Sequence, residues 1–151
     1  MRTRIINPSC SDIYKLLING GYMTNLDKDG EPFVINEHNR RVYLMLNNSN
    51  KTLVMGALFF GDDSFESEKE CLHEDLSGDP TNPELSLVGP NMGMHFSLSF
   101  VDHLNIREFY KALFYFCSKY NELLSDEDVK TCFPYAKRPD RDDADKSPTL
   151  N

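Results

Sequence analysis

At 151 residues, with 40% hydrophobic and 26% charged residues, the chain can bury one core and is too apolar to be wholly disordered. Its net charge of −8 is concentrated: from Gly61 to Glu84 stand nine acids and the single base Lys69, and the rest of the chain is neutral. A field of that sign repels phosphates and attracts basic partners, which argues against a nucleic-acid partner. The start, MRTRIINPSCSDIY, lacks the apolar run of a signal peptide, and no stretch approaches the roughly 20 apolar residues that span a bilayer. The expectation is a cytoplasmic protein with no membrane partner. Cys10, Cys71, Cys117 and Cys132 are widely separated with no CxxC, which predicts free, partly buried thiols rather than disulfides, a zinc knuckle or a redox pair.

From Ser9 or Ser11 the spacing of Ile13, Leu16 and Leu17 predicts a short amphipathic helix, capped by a serine and stopped by Asn19-Gly20-Gly21. A strand can begin near Tyr22. PFVIN, RRVYLML and KTLVMGALFF are rich in β-branched and aromatic residues and are separated by the short polar breaks EHNR and NNSN, which reads as an antiparallel meander. The continuous apolar run from Val42 to Leu46 predicts a strand covered on both faces or near the sheet centre. The acidic segment follows. Its proline-rich end, SGDPTNPELSLVGPN, predicts a loop insertion over about 61–92, in which SFESEKECLHEDL could hold a short exposed helix.

MHFSLSFVDHL alternates Met94, Phe96, Leu98 and Phe100 with His95, Ser97, Ser99 and Val101, a half-buried strand. NIREFYKALFYFCSKYNELL is the strongest helix, with Asn105 as cap and Glu108 three residues on. Its apolar surface, including Phe109, Leu113, Phe116 and Tyr120, is broader than a narrow stripe, so these residues either anchor a partner or lie deep across the sheet. After Leu124 periodicity is lost. Residues 1–125 are expected as one α+β domain, an antiparallel meander with a short N-terminal and a long C-terminal helix packed on it, and 126–151 as a polar, flexible tail that Cys132, Phe133 and Tyr135 could pin at its start.

Few residues suggest chemistry. NLDKDGEPFVINE places oxygen-bearing side chains like a calcium loop, but its twelfth position is Asn36, and Asp29-Gly30 between extended runs predicts a β-turn. His38, His73, His95 and His103 form no HExxH, and CLHED has no second half-site. GPNMG reads as a loop turn without the lysine of a phosphate loop. No catalytic residue, metal site or cofactor is expected; an enzyme would require His73 or His103 to converge with carboxylates in a pocket.

The order of elements, from LLINGGY through RRVYLML and LVMGALFF to HFSLSFVDHLNIREFYKALFYFCSKYNELL, resembles the YbjN-like proteins and the type III secretion chaperone-like fold. The resemblance runs from about Ser9 to Leu124 and implies a small non-enzymatic protein that holds another polypeptide, an effector or client, and that could form a homodimer. It implies no catalytic residue. One departure stands out: the family has a helix between its third and later strands, where this chain has its proline-rich acidic segment. A partner could add to the sheet edge or sit on the long helix, and Asp62, Asp63, Glu66, Glu68, Glu70, Glu74 and Asp75 would steer it. The alternative is an acidic immunity or inhibitor protein in which that loop mimics phosphates against a basic toxin.

Overall fold

A computed structural model describes residues 3–137. The first strand, β1 (Arg4–Ile6), leads into helix α1 (Cys10–Asn19). Ser9 caps α1 reciprocally: its Oγ accepts from the Asp12 amide at 3.1 Å while Asp12 Oδ2 accepts from the Ser9 amide at 2.9 Å. Strands β2 (Thr24–Leu26), β3 (Pro32–Ile35), β4 (Arg41–Asn47) and β5 (Thr52–Phe59) then form the meander that their composition predicts.

The acidic segment holds the short exposed helix that SFESEKECLHEDL allowed and departs from the expected loop in the strand that follows. Glu66–Ser77 is helix α2, and Glu84–Val88 is strand β6, hairpinned to β7 (Asn91–Ser99). The helix carries little apolar periodicity because it buries only Leu72 and the stem of Lys69, and Glu66 and Glu68 suit the positive end of its dipole. The prolines flank β6 instead of interrupting it: Pro83 precedes it, and Pro90 sits in the two-residue turn after Gly89. GPNMG is therefore half turn and half strand.

Strand β8 (His103–Asn105) feeds directly into helix α3 (Ile106–Leu124), where the Asn105 side chain accepts from the Glu108 amide at 3.0 Å. The expected tail holds further structure. Asp126 caps helix α4 (Glu127–Cys132), which buries Val129 and Cys132, with Phe133 also buried, and the Tyr135 amide donates to the Phe60 carbonyl at 3.1 Å. The rest of that expected tail, 138–151, lies outside the described residues.

The large sheet has the order β2-β3-β4-β5-β7-β6, antiparallel throughout, and β1 pairs with β8 in a separate ribbon. Side chains alternate along each strand. Leu53, Met55, Ala57 and Phe59 of β5, with Val42 and Leu44 of β4 and Met92 and Met94 of β7, form the buried face. Helix α3 packs on that face through Phe109, Leu113, Phe116 and Tyr120, whose i, i+4, i+7 and i+11 spacing places them on one stripe. The Tyr120 hydroxyl donates to the Leu58 carbonyl at 2.7 Å, and its ring meets Phe59 edge-on at 5.1 Å.

Lys69 is the one buried charged residue among the described residues, 5% exposed. Its Nζ donates to the backbone carbonyls of Asp62 and of Pro90, the latter at 3.0 Å, and lies 5.3 Å from the centre of the Phe133 ring. One ammonium thus ties α2 to the chain after β5, to the β6–β7 turn and to the segment after α4. Replacing it, Lys69→Met, keeps the stem but leaves two carbonyls without their donor, so stability should fall by about 2–3 kcal/mol. Equilibrium urea unfolding of the variant checks this. Tyr120→Phe, which takes the hydroxyl from the Leu58 carbonyl and from Arg40, should cost about 1–2 kcal/mol by the same measurement.

Candidate functional site

The four α3 residues considered as partner anchors, Phe109, Leu113, Phe116 and Tyr120, are all at most 1% exposed. The broad apolar surface of α3 is consumed by the domain's own core, which corrects the partner-anchor reading; Phe114, on the opposite side, is exposed.

Glu66, Glu68, Glu70, Glu74 and Asp75 are exposed on helix α2 rather than on the phosphate-mimicking loop that the inhibitor reading supposed, and Asp62, half-buried, and Asp63 lie in the short loop before it. Glu68 and Asp75 come together with Asp128, Cys71 and Cys132 along a groove of about 330 Å³ between α2 and α4. Asp62, Asp63 and Glu66 gather with Lys69, Gly89 and Pro90 around a second hollow, and Glu70 and Glu74 line neither. Asp62 is held below the usual carboxylate range by the Ser64 amide first and by the Tyr135 hydroxyl at 2.8 Å.

The histidines do not converge. His73 Nε2 meets the Leu85 carbonyl at 2.9 Å, His103 Nδ1 lies 2.8 Å from its neighbour Asp102, His95 pairs with Glu84, and His38 is 3.9 Å from Glu37. His73 also occupies a carbonyl of β6, so α2 guards that edge of the sheet, while the opposite edge strand β2 spans only three residues. The calcium-like stretch is a hairpin turn. Asp27 Oδ1 accepts from the amides of Asp29 and Glu31, each at 2.9 Å, and Gly30 adopts φ 82°, so the aspartate that would ligate a cation holds the backbone instead.

The most developed site is on the sheet face opposite α3, and the register defines it. One row crosses all six strands: Asn25, Phe33, Tyr43, Gly56, His95 and Glu84. Gly56 leaves a gap in this row between Tyr43 and His95, and Gly93, opposite Leu58, leaves a second gap on the adjacent strand. The result is a depression of about 580 Å³ floored by backbone at Gly56 and Gly93, walled by Tyr43, Met45, Leu58 and His95, and rimmed by the turn residues Asp27, Lys28, Asp29 and Glu31.

Pairing is continuous through both glycines, so neither marks a bulge. Glycine in a strand interior weakens the strand, and besides a bulge or a bend it often marks a close approach by a ligand or another backbone. An added Cβ at Gly93 would meet Leu58 at 3.5 Å, an ordinary contact, and at Gly56 would meet only the flexible methyl of Met45 at 3.2 Å. Space, therefore, does not demand either glycine.

The rim is electrostatically unbalanced. Among the described residues, Asp27, Asp29 and Glu31 make no ion pair. Partial burial pushes the Glu31 carboxyl above its usual range, and the neighbouring Asp27 and Asp29 add to the shift. Sequence reading passed over this site because its residues are separated along the chain. The legible signal was a glycine inside each of two strong strands, in VMGAL and in NMGMH.

Solved structures that share this fold include two of similar length. One is YbjN from E. coli, a candidate transcription regulator, with TM-score 0.57 and 14% identity over 85% of this chain and 91% of that one. The other is a chain of the HopA1–SchA chaperone–effector complex, with TM-score 0.51 and 12% identity over 81% and 90% respectively. No protein-family model matches the chain, and no curated protein matches it in sequence. The fold is YbjN-like and chaperone-like, and α2 occupies the place where the sequence suggested a departure from that pattern. No described helix is long and apolar enough to cross a membrane.

All four cysteines are free. Burial pushes the Cys117 thiol up to about 12, whereas Cys71 is exposed. Only the thiolate reacts, so alkylation of the native protein at mildly alkaline pH should modify Cys71 first and leave Cys117 untouched until denaturant is added; peptide mapping by mass spectrometry reads the order.

Proposed function

We propose that the chain is a non-enzymatic polypeptide-binding protein, chaperone- or adaptor-like, that holds an extended segment of another protein across the open face of its sheet in the cytoplasm. The observation that carries this reading is the pair of side-chain-free positions, Gly56 and Gly93, diagonal to each other on the neighbouring strands β5 and β7 with unbroken pairing. Half-buried backbone without side chains on a sheet face admits a partner closely, and the neighbouring Met45 and Leu58 offer apolar contact. The shared fold of a chaperone–effector complex chain supports the same class of role. Capture on the face is favoured over strand addition, because α2 guards the β6 edge and β2 is short. Asp62, Asp63, Glu66, Glu68, Glu70, Glu74 and Asp75 act at longer range, steering a basic partner toward the protein.

The test separates binding from folding. Valine favours strands and both glycines have φ outside the left-handed region, so Gly56→Val should fold at least as stably as the parent, by up to about 1 kcal/mol. Random peptides displayed on phage and selected on the full chain should yield binders that lose at least about tenfold affinity for Gly56→Val while its melting temperature holds or rises. Gly93→Ala provides a second, milder filling of the same depression. If selection enriches no peptide, or the enriched peptides bind both variants as well as the parent, the face is not the binding surface.

A further inference from the structure

Resting on the open sheet face as the polypeptide-binding surface, we propose that its depression selects an arginine side chain of the bound segment, the stem crossing Gly56 and Gly93 and the guanidinium meeting Asp27, Asp29 and Glu31. Three features carry this.

The first is charge. The turn places three carboxylates and one ammonium, Lys28, on the rim of a single depression, and none of the three acids has an ion-pair partner among the described residues. Partial burial first, and the neighbouring Asp27 and Asp29 carboxylates after it, hold the Glu31 carboxyl above its usual range, so like charges face one another on this rim. An incoming cation relieves that repulsion. An aliphatic anchor would instead desolvate Glu31 further with nothing in return.

The second is shape. A long stem needs a channel without side chains beneath it, and Gly56 and Gly93 provide one, with Met45 and Leu58 alongside as apolar contact.

The third is a precedent on the same face. The chain's own Arg41 lies with its guanidinium carbon 4.3 Å from the centre of the Phe33 ring and donates from Nη1 to the Tyr43 hydroxyl at 3.0 Å. This surface already holds one planar cation by stacking and hydrogen bonding, so a second, from the partner, uses the same chemistry on the other side of Tyr43. Arginine is selected over lysine because its planar fork can stack and pair with carboxylates at once. A metal ion is the weaker occupant: no described cluster of His, Cys, Asp and Glu has the arrangement to hold one, and Asp27 Oδ1 is committed to the turn amides.

The probes are short extended threonine–valine peptides with arginine, citrulline or leucine at the centre, titrated into the full chain labelled with ¹⁵N. The arginine peptide should shift the amides of Gly56 and Gly93 and bind at least about tenfold tighter than the citrulline peptide, with a gap that narrows as salt rises. Glu31→Gln should lower that affinity without lowering stability. A carboxyl raised in the folded state favours folding below its unfolded pKa, and that contribution is lost as pH rises through the folded value, so neutralising Glu31 removes no stabilisation at neutral pH. For the same reason, affinity for arginine should drop as pH falls through the raised Glu31 value. If citrulline or leucine peptides move the same amides with equal affinity, arginine selection is overturned while the binding face stands. If none of the three moves an outer-face amide, arginine selection is overturned too. The peptides from phage selection then decide the binding face independently, by whether Gly56→Val weakens them.

Discussion

Everything in this molecule follows from having one long apolar helix and one wide sheet. Helix α3 can cover only one side of six strands, and it spends Phe109, Leu113, Phe116 and Tyr120 doing so. The hydroxyl-to-carbonyl contact from Tyr120 to Leu58 fixes the helix over the central strand, in the part of the core that is driest. With that layer complete, no helix of the described residues packs on the far side of the sheet. Its strands nevertheless carry Tyr43, Met45 and Leu58, and Met45 remains 40% exposed. The asymmetry between a sealed face and an open apolar one is what turns a small α+β domain into something with a place for a partner.

Much of the architecture could be read from residue order. Ser9 and Asp12, the glycines after Asn19, the polar breaks between strands and the Asn105 cap each act locally, through hydrogen bonds within a few positions, so their effect is visible in a short window. The apolar run from Val42 to Leu46 was legible too, although its meaning needed the sheet: Val42 and Leu44 face α3, while Tyr43 and Met45 face outward. Helix α2 and strand β6 were obscured for opposite reasons. The helix has too little buried surface to impose a period, and the strand is short and bracketed by prolines that normally signal a loop. The depression was hidden most completely, because it is assembled by cross-strand register between the 27–31 turn, β4, β5 and β7, and register is not written in any one segment.

Charge is arranged in two layers with different jobs. Lys69 is the single base in the acidic stretch, and it is turned inward to backbone carbonyls instead of outward to the carboxylates around it. The acids of α2 are left without a base from their own segment, and the protein presents them to solvent at full strength. The 27–31 turn makes the same choice on a smaller scale, using an aspartate to hold amides while its neighbours stay uncompensated. One charge in each place holds the backbone, Lys69 its carbonyls and Asp27 its amides, and the acids around them remain available to a partner.

The ribbon of β1 and β8 sets the order in which the domain can assemble. Ile5 lies opposite Leu104, both buried, with most of the described chain between them, whereas the other strand pairings join neighbours or, for β5 with β7, span α2 and β6. Closing so long a loop costs more chain entropy than any other strand pairing and gains only three paired residues, so contact order favours the hairpins and α3 forming before β1 docks. The same arithmetic runs backwards in the native state: β1 is the element whose release disturbs least, and its opening bares Leu104, immediately ahead of α3, while the sheet stays whole.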